Sequence, residues 1–141
     1  MEKRRYKRVT SNNEEATMSY RFIILGNPPS VNHLYGNRVC GKRVIRYMTK
    51  EGKEYKEFIK KHCTLEKPFN DCALFVKLYV YFGDMRRRDI DNTLKALLDG
   101  MNGVVFEDDS QVYRLYIQKG YDKSLPRTEV ELEIINTAEF Q

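Results

Sequence analysis

A chain of 141 residues, 41% of them hydrophobic, is long enough for one domain with a real core and too short for two. Its 25 Lys+Arg against 20 Asp+Glu leave a net charge of +5, an excess that suits a polyanionic partner without demanding one. Three cysteines (Cys40, Cys63, Cys72) with no C-x-x-C pair speak against a zinc site or a disulfide framework. No apolar run nears the about 20 residues of a membrane span. The N-terminus has no apolar stretch of the secretory kind, so reduced thiols in a cytoplasmic protein are the expectation.

Residues 1–18 are polar, charged and aperiodic, and are read as a mobile basic tail preceding a folded unit of residues 19–141. Residues 20–25 alternate as a first strand, with Tyr20, Phe22 and Ile24 on one side. Gly26-Asn27-Pro28-Pro29-Ser30 ends it. Residues 37–47 read as a hairpin turning at Gly41-Lys42, made basic by Arg38, Lys42, Arg43 and Arg46. Thr49 is placed to cap a helix running to about Cys63, with Tyr55, Phe58, Ile59 and His62 as its buried stripe. Residues 73–82, rich in Val, Leu, Tyr and Phe, form the strongest strand. A second helix starts near Asp91 and stops at Gly103, placed as a C′ glycine. Two alternating segments, 112–119 and 128–135, make the last strands, joined as a hairpin by residues 120–126. The pattern predicts an α+β single domain: a mixed sheet of about five to six strands with two main helices.

The chemistry concentrates in Arg86-Arg87-Arg88-Asp89-Ile90-Asp91-Asn92, with Lys95 one helical turn on and Glu107-Asp108-Asp109 a dozen residues later. Asp89 and Asp91, two apart on extended chain, project the same way, with Ile90 turned toward the core. On the helix that follows, Leu94, Leu97, Leu98 and Met101 form the apolar stripe, and Asn92, Lys95, Asp99 and Asn102 the polar one. A helix and a return strand can carry the second acidic cluster back beside the first. Clustered carboxylates repel by about 4 kcal/mol per pair at ~4 Å with an effective dielectric near 20. A hard divalent cation relieves that cost, and the arginines are suited to a phosphate. The same residues also admit a plainer reading: Asp91 as an N-cap, Asp91 and Lys95 as an i,i+4 ion pair, the acidic run as a solvated loop, the arginines as cover for a sheet edge. Of the two histidines, His62 falls on an apolar stripe and His33 in a loop without a partner at ligand spacing. No phosphate-loop, nucleophile-elbow or dinucleotide motif is present.

The run from Arg86 to Val112, RRRDIDNTLKALLDGMNGVVFEDDSQV, resembles the RusA-type Holliday-junction resolvases of phages and prophages. Pro28-Pro29-Ser30-Val31-Asn32 and the helix near Tyr55 extend the likeness to about residues 19–135. The resemblance implies a homodimeric, Mg²⁺-dependent (or Mn²⁺-dependent) endodeoxyribonuclease acting on four-way DNA junctions in recombination and repair. By it, Asp89, Asp91 and Asp109 are catalytic metal ligands and Lys95 is an essential lysine, with Arg88 the preceding basic residue. The stretch between Lys95 and the second cluster leaves Asp108 as the rival of Asp109, and the D-x-Q-V alignment favours Asp109. Arg86, Arg87, Arg88, Asn92 and Lys95 are the expected DNA contacts. Lys119 and Arg127, with the basic hairpin, extend the electrostatic footprint. The competing expectations are a junction-binding protein that does not cut and a structural α+β module.

Overall fold

The computed structural model describes residues 8–9 and 17–141. Strands β1 (Arg8–Val9), β2 (Thr17–Leu25), β5 (Ala73–Phe82), β6 (Val112–Tyr121) and β7 (Arg127–Ile135) form a sheet in the order β1-β2-β7-β5-β6. A separate hairpin, β3 (Tyr35–Cys40) and β4 (Arg43–Met48), turns at Gly41-Lys42 with the left-handed φ of +60° at Gly41 that such a turn uses. Three helices complete the α+β domain: the one-turn α1 (Val31–Leu34), α2 (Lys50–His62) and α3 (Ile90–Met101). Most of the expected tail at 1–18 lies outside the described residues. Within it, Val9 and Arg8 pair with Thr17 and Met18.

Alternation decides which side of the sheet is covered. On β5, Leu74, Val76, Leu78, Val80 and Phe82 are buried, with Phe75, Lys77, Tyr79 and Tyr81 on the other side. Tyr20, Phe22 and Ile24 of β2 and Val130 and Leu132 of β7 extend the same buried face. Each fully buried side chain of this size contributes about 1.5–3 kcal/mol. The opposite face carries Glu129, Glu131 and Glu133 of β7 among half-buried aromatics, as expected of a sheet covered on one side.

The helices cover that apolar face. Thr49 caps α2 as predicted, its hydroxyl accepting from Gly52 N at 3.1 Å. The predicted stripe is half right: Ile59 is fully buried and Tyr55 partly, but Phe58 is 38% exposed and packs at a tilt against the His62 ring, 4.4 Å between centroids. The buried line runs instead through Gly52, Tyr55 and Ile59, because α2 crosses α3 at Gly100. A Cβ there would stand 2.6 Å from Ile59 Cδ1. The same crossing rotates α3. Leu97 and Met101 are buried as expected, but Thr93, Ala96, Asp99 and Gly100 are buried too, while Leu94 and Leu98 are only half covered.

Two further expectations are corrected. Residues 120–126 do not close a hairpin: β6 pairs in parallel with β5, and β7 runs antiparallel to β5 on its other side, so β5 separates the two. The alternation of β6 and β7 marks them as strands but carries no information about their order. Ile90 does not enter the core and is 41% exposed, because α3 begins at Ile90 and takes it off the extended register.

Candidate active site

Strand β5 and helix α3 meet in residues 83–89. Gly83 N donates to Asn27 Oδ1 at 3.0 Å, tying this turn to the Pro28-Pro29-Ser30 segment after β2. A cleft of about 390 Å³ opens between the two, lined by Pro28, Pro29, Ser30, Arg87, Arg88, Asp89, Asn92 and Thr93. The weaker sequence likeness in the proline segment thus joins the stronger one in space.

Within the arginine triplet the three side chains have different duties. Arg88 donates through both terminal nitrogens to Asp84, at 2.7 and 3.1 Å, and lies 4.3 Å over the Phe82 ring. This bidentate pair fixes the guanidinium and holds the Asp84 carboxyl down at about 2. Arg86 and Arg87 are exposed and make no ion pair with a described residue. Lys119 Nζ, from β6, donates to the Arg88 carbonyl at 2.6 Å and joins the basic edge. Arg127 does not: Asp122 and Glu129 hold it at 2.8 and 3.1 Å over the Tyr81 ring, so its charge is already balanced.

Asp89, rather than Asp91, is the N-cap residue of α3, and its side chain makes no capping hydrogen bond. Thr93 instead returns its N–H and hydroxyl to the Asp89 carbonyl at 3.2 and 3.1 Å. Asp91 lies in the first turn. Both carboxylates are exposed, and neither has a hydrogen bond or ion pair with a described residue. The plain reading of Asp91 as a cap or as the partner of Lys95 therefore fails. Lys95 Nζ pairs forward with Asp99 at 3.3 Å, and Tyr35 Oη donates to the same Asp99 oxygen at 2.7 Å. Burial, and then Asp99, push the Tyr35 phenol up to about 12. Asp99 was expected on the exposed stripe but is 9% exposed, and with Tyr35 it is the part of the site that the sequence reading missed. The spacing Asp91, Lys95, Asp99, one residue per turn, was the available signal.

The second acidic cluster is built around Gln111. Gln111 Nε2 donates to the carbonyls of Phe69 and Cys72 at 3.1 and 3.2 Å, and its Oε1 accepts from Asp108 N at 3.1 Å. Asp108 closes the reciprocal box with Gln111 and also accepts from Ser110 N at 3.3 Å, and the Ser110 bonds hold its carboxyl below the usual carboxylate range. Asp109 is left with no described partner. The motif D-D-x-Q thus consists of a cap, a free carboxylate and an anchor, and the free one is Asp109.

The structure brings Asp89 and Asp91 together but holds Asp109 elsewhere in the same chain. Lys119 reaches the Arg88 carbonyl from the far end of β6, whereas Asp109 lies three residues before Val112, which stands beside Leu74 at the opposite end of the sheet. Helix α3 lies between them, and its 12 residues span about 18 Å. Asp109 instead falls within electrostatic range of Tyr35, at the Asp99 end of the helix. Among the described residues no group of three His, Cys, Asp or Glu is assembled that could hold a metal ion. The expected return of the second cluster beside the first is therefore not made within one chain. The chain leaving α3 goes to the start of a parallel strand, which lies at the other end of the sheet.

The family model for "Endodeoxyribonuclease RusA" matches residues 26–133, which takes in the cleft, both acidic clusters and the whole of α3. The chain belongs to the RusA family. It is also similar to the "Crossover junction endodeoxyribonuclease rusA" of Enterobacteria phage HK97, at 33% identity over 104 residues, covering 72% of this chain and 82% of that protein. The resemblance, strongest over residues 86–112 and read to about 19–135, is matched over 26–133, which takes in β5, β6 and most of β7. No helix among the described residues is long and apolar enough to cross a membrane.

Proposed function

We propose that this RusA-family chain is a divalent-cation-dependent endodeoxyribonuclease that cuts four-way DNA junctions during recombination and repair. One observation carries the reading. Two exposed carboxylates, Asp89 and Asp91, unengaged by any described residue, stand at the start of α3 with Arg86 and Arg87, which have no described ion pair, and Arg88, fixed by Asp84. The name of the phage HK97 relative supports a junction as the substrate. Phage or prophage origin and a cytoplasmic site of action follow the same reading.

The donor set fits a hard cation. Asp89, Asp91 and Asp109 offer oxygen ligands of the kind Mg²⁺ or Mn²⁺ takes, and all three are free to offer them. When bound, such an ion supplies charge for the scissile phosphate and acidifies a water at neutral pH. The chain itself binds and orients. Arg86 and Arg87 meet backbone phosphates, Arg88 presents a guanidinium already fixed in direction, and Asn92 offers its amide on the first turn of α3. Lys95, held by Asp99, places its ammonium near the developing negative charge. A homodimer matches the two equivalent strands of a junction.

A synthetic four-way junction incubated with the protein and Mg²⁺ is expected to be nicked symmetrically, and chelation is expected to stop the reaction. Asp91→Asn is expected to lower cleavage by at least 100-fold while junction binding persists. Binding without cleavage at every Mg²⁺ or Mn²⁺ concentration would establish instead a junction-binding protein that does not cut. That second reading is favoured by one fact, the absence of a three-carboxylate group within the described residues of a single chain.

A further inference from the structure

The β3–β4 ribbon stands apart from the rest of the domain. Among the described residues its two strands pair only with each other and not with the larger sheet. Every residue from 37 to 47 is exposed, so both faces of the ribbon meet solvent. Val39 and Val44, paired directly across its tip, are 72% and 69% exposed. A lone two-stranded ribbon is marginal in water, and this one is held by its foot. Tyr35 Oη donates to Asp99, Thr49 N donates to the Leu34 carbonyl at 2.9 Å, and Thr49 Oγ1 donates to the His33 carbonyl at 2.6 Å. Gly36 lies so close to the Tyr47 side chain that a Cβ there would stand 2.6 Å from its hydroxyl. The ribbon is thus fixed at its base and bare along its length.

Its charge is of one sign. Arg38, Lys42, Arg43 and Arg46 lie on it, residues 31–50 contain no Asp or Glu, and none of the four cations forms an ion pair with a described residue. Arg46 lies 4.1 Å over the Tyr35 ring, a contact that leaves its charge in place. The register puts Arg38 and Arg43 on one face and Arg46, beside Asn37, on the other, with Lys42 at the turn. A partner lying flat against the ribbon would meet one face only. Cations on both faces suit an occupant with an anionic wall on each side, which is the form of a DNA groove. The minor groove, about 6 Å wide, is too narrow for a ribbon, whereas the major groove, about 12 Å wide, takes one. The major groove is about 8.5 Å deep, which at about 3.4 Å per residue takes the last two or three positions of each strand. Those positions hold Val39, Cys40, Arg43 and Val44. Arg38 and Arg46 then stand at the rim on opposite faces, where the two phosphate ridges run.

We infer that the β3–β4 ribbon enters the major groove of one duplex arm of the DNA substrate tip first, with Arg38 and Arg46 on the flanking phosphates and Val39 and Val44 on the base edges. Apolar side chains in that position meet thymine methyl groups. The inference takes its partner, DNA, from the nuclease reading, but the contact lies outside the cleft and uses none of the carboxylates. Tyr35, at the foot of the ribbon, also holds Asp99, so the groove contact and Lys95 share one anchor.

Dimethyl sulfate attacks guanine N7 in the major groove and adenine N3 in the minor groove, and so reads which groove is filled. With the full chain on a labelled four-way junction in EDTA, guanines over one stretch of an arm are expected to be protected and adenines not. Val39→Ser/Val44→Ser, at exposed positions, is expected to keep its circular dichroism and lose that protection. Replacing the thymines of the protected stretch by uracil is expected to weaken binding by the parent about fourfold, the worth of one buried methyl, and to leave the valine variant unaffected. Arg38→Gln/Arg46→Gln is expected to lower the slope of log affinity against log salt by about 1.8, for two phosphates lost. Absence of guanine N7 protection, protection that survives Val39→Ser/Val44→Ser, or an affinity indifferent to uracil overturns the inference. A change of subunit number in the valine variant without DNA, read by sedimentation equilibrium, puts a second copy rather than DNA on the tip and also overturns it. A junction protected as expected but never nicked when Mg²⁺ is supplied is the failure of the nuclease reading alone.

Discussion

Tyr35 Oη donates to Asp99 Oδ2 at 2.7 Å, on the same carboxylate oxygen that Lys95 Nζ meets at 3.3 Å. The hairpin strand β3 thereby fixes, through Asp99, where the ammonium of α3 stands. The Tyr35 phenol is raised from 10.0 to about 12, first by burial and then by Asp99. A raised value favours the protonated form in the folded protein. Its contribution to stability is therefore complete below pH 10 and is lost as pH rises through about 12. In Asp99→Ala the phenol is expected to titrate lower, though still above 10 because burial remains, as read by tyrosinate absorbance. Stability is expected to fall by about 1.5–3 kcal/mol, the worth of a hydrogen bond to a charged group. Junction cleavage is expected to fall as Lys95 loses its hold.

Arg88 and Arg87 are expected to differ in how salt affects DNA binding. Each unpaired cation that meets a phosphate contributes about 0.9 to the slope of log affinity against log salt. Arg87→Ala is expected to lower the slope by about that much. Arg88→Ala is expected to lower it less, because Asp84 already balances the charge. Fluorescence anisotropy on a labelled junction across a salt series checks both.

The Asp84 carboxyl, held at about 2 by Arg88 first and by the Arg86 backbone second, gives a pH signature of its own. A depressed value contributes stability above the unfolded value of 3.8 that is lost as pH falls through about 2. In Arg88→Ala this carboxyl is expected to titrate closer to 3.8, observable by carbon-detected nuclear magnetic resonance, and the acid side of the stability profile is expected to flatten between pH 4 and 2.

Gln111→Ala removes the anchor of the second acidic turn and takes its amide donor from the Cys72 carbonyl, while the Phe69 carbonyl keeps Glu107 N. An unsatisfied buried polar group costs about 1–3 kcal/mol. The expected outcome is a modest loss of stability with a larger loss of cleavage, since Asp109 is no longer held in place. A melting curve and a junction assay on the same preparation separate the two effects.

Gly100→Ala sets two effects against each other. Alanine gains about 1 kcal/mol of helix propensity over glycine. The new methyl would stand 2.6 Å from Ile59 Cδ1 and 3.1 Å from the Tyr55 ring, and Ile59 is fully buried. Overpacking of this kind costs about 1–3 kcal/mol, so the variant is expected to melt below the parent by thermal denaturation.

Strand and helix identities were legible because period and caps are local. Thr49, Gly103 and the alternation along β5 each report on their own few residues. What could not be read was anything set by a partner element. Phe58 and Asp99 exchanged places between core and surface because α2 and α3 cross at Gly100. Ile90 was aimed inward on the assumption of an extended chain, and the helix begins one residue earlier than assumed. In the site, the residue types and the closeness of Asp89 and Asp91 follow from the motif; that neither is engaged depends on Lys95 turning to Asp99 and on Asp89 capping through its carbonyl. The distance to Asp109 depends on β6 being parallel to β5, and alternation is the same for either direction.

The last strand in the sequence is an interior strand of the sheet. β7 lies between β2 and β5, and Arg21 is bonded to Glu131 across 110 positions of chain. Everything from β2 through β7 must be synthesised before that slot can be filled, and until then β2 and β5 have no common neighbour. Assembly is expected to be slow and governed by long-range closure. A stop codon early in positions 127–135 would cost the molecule its central brace rather than a dispensable end.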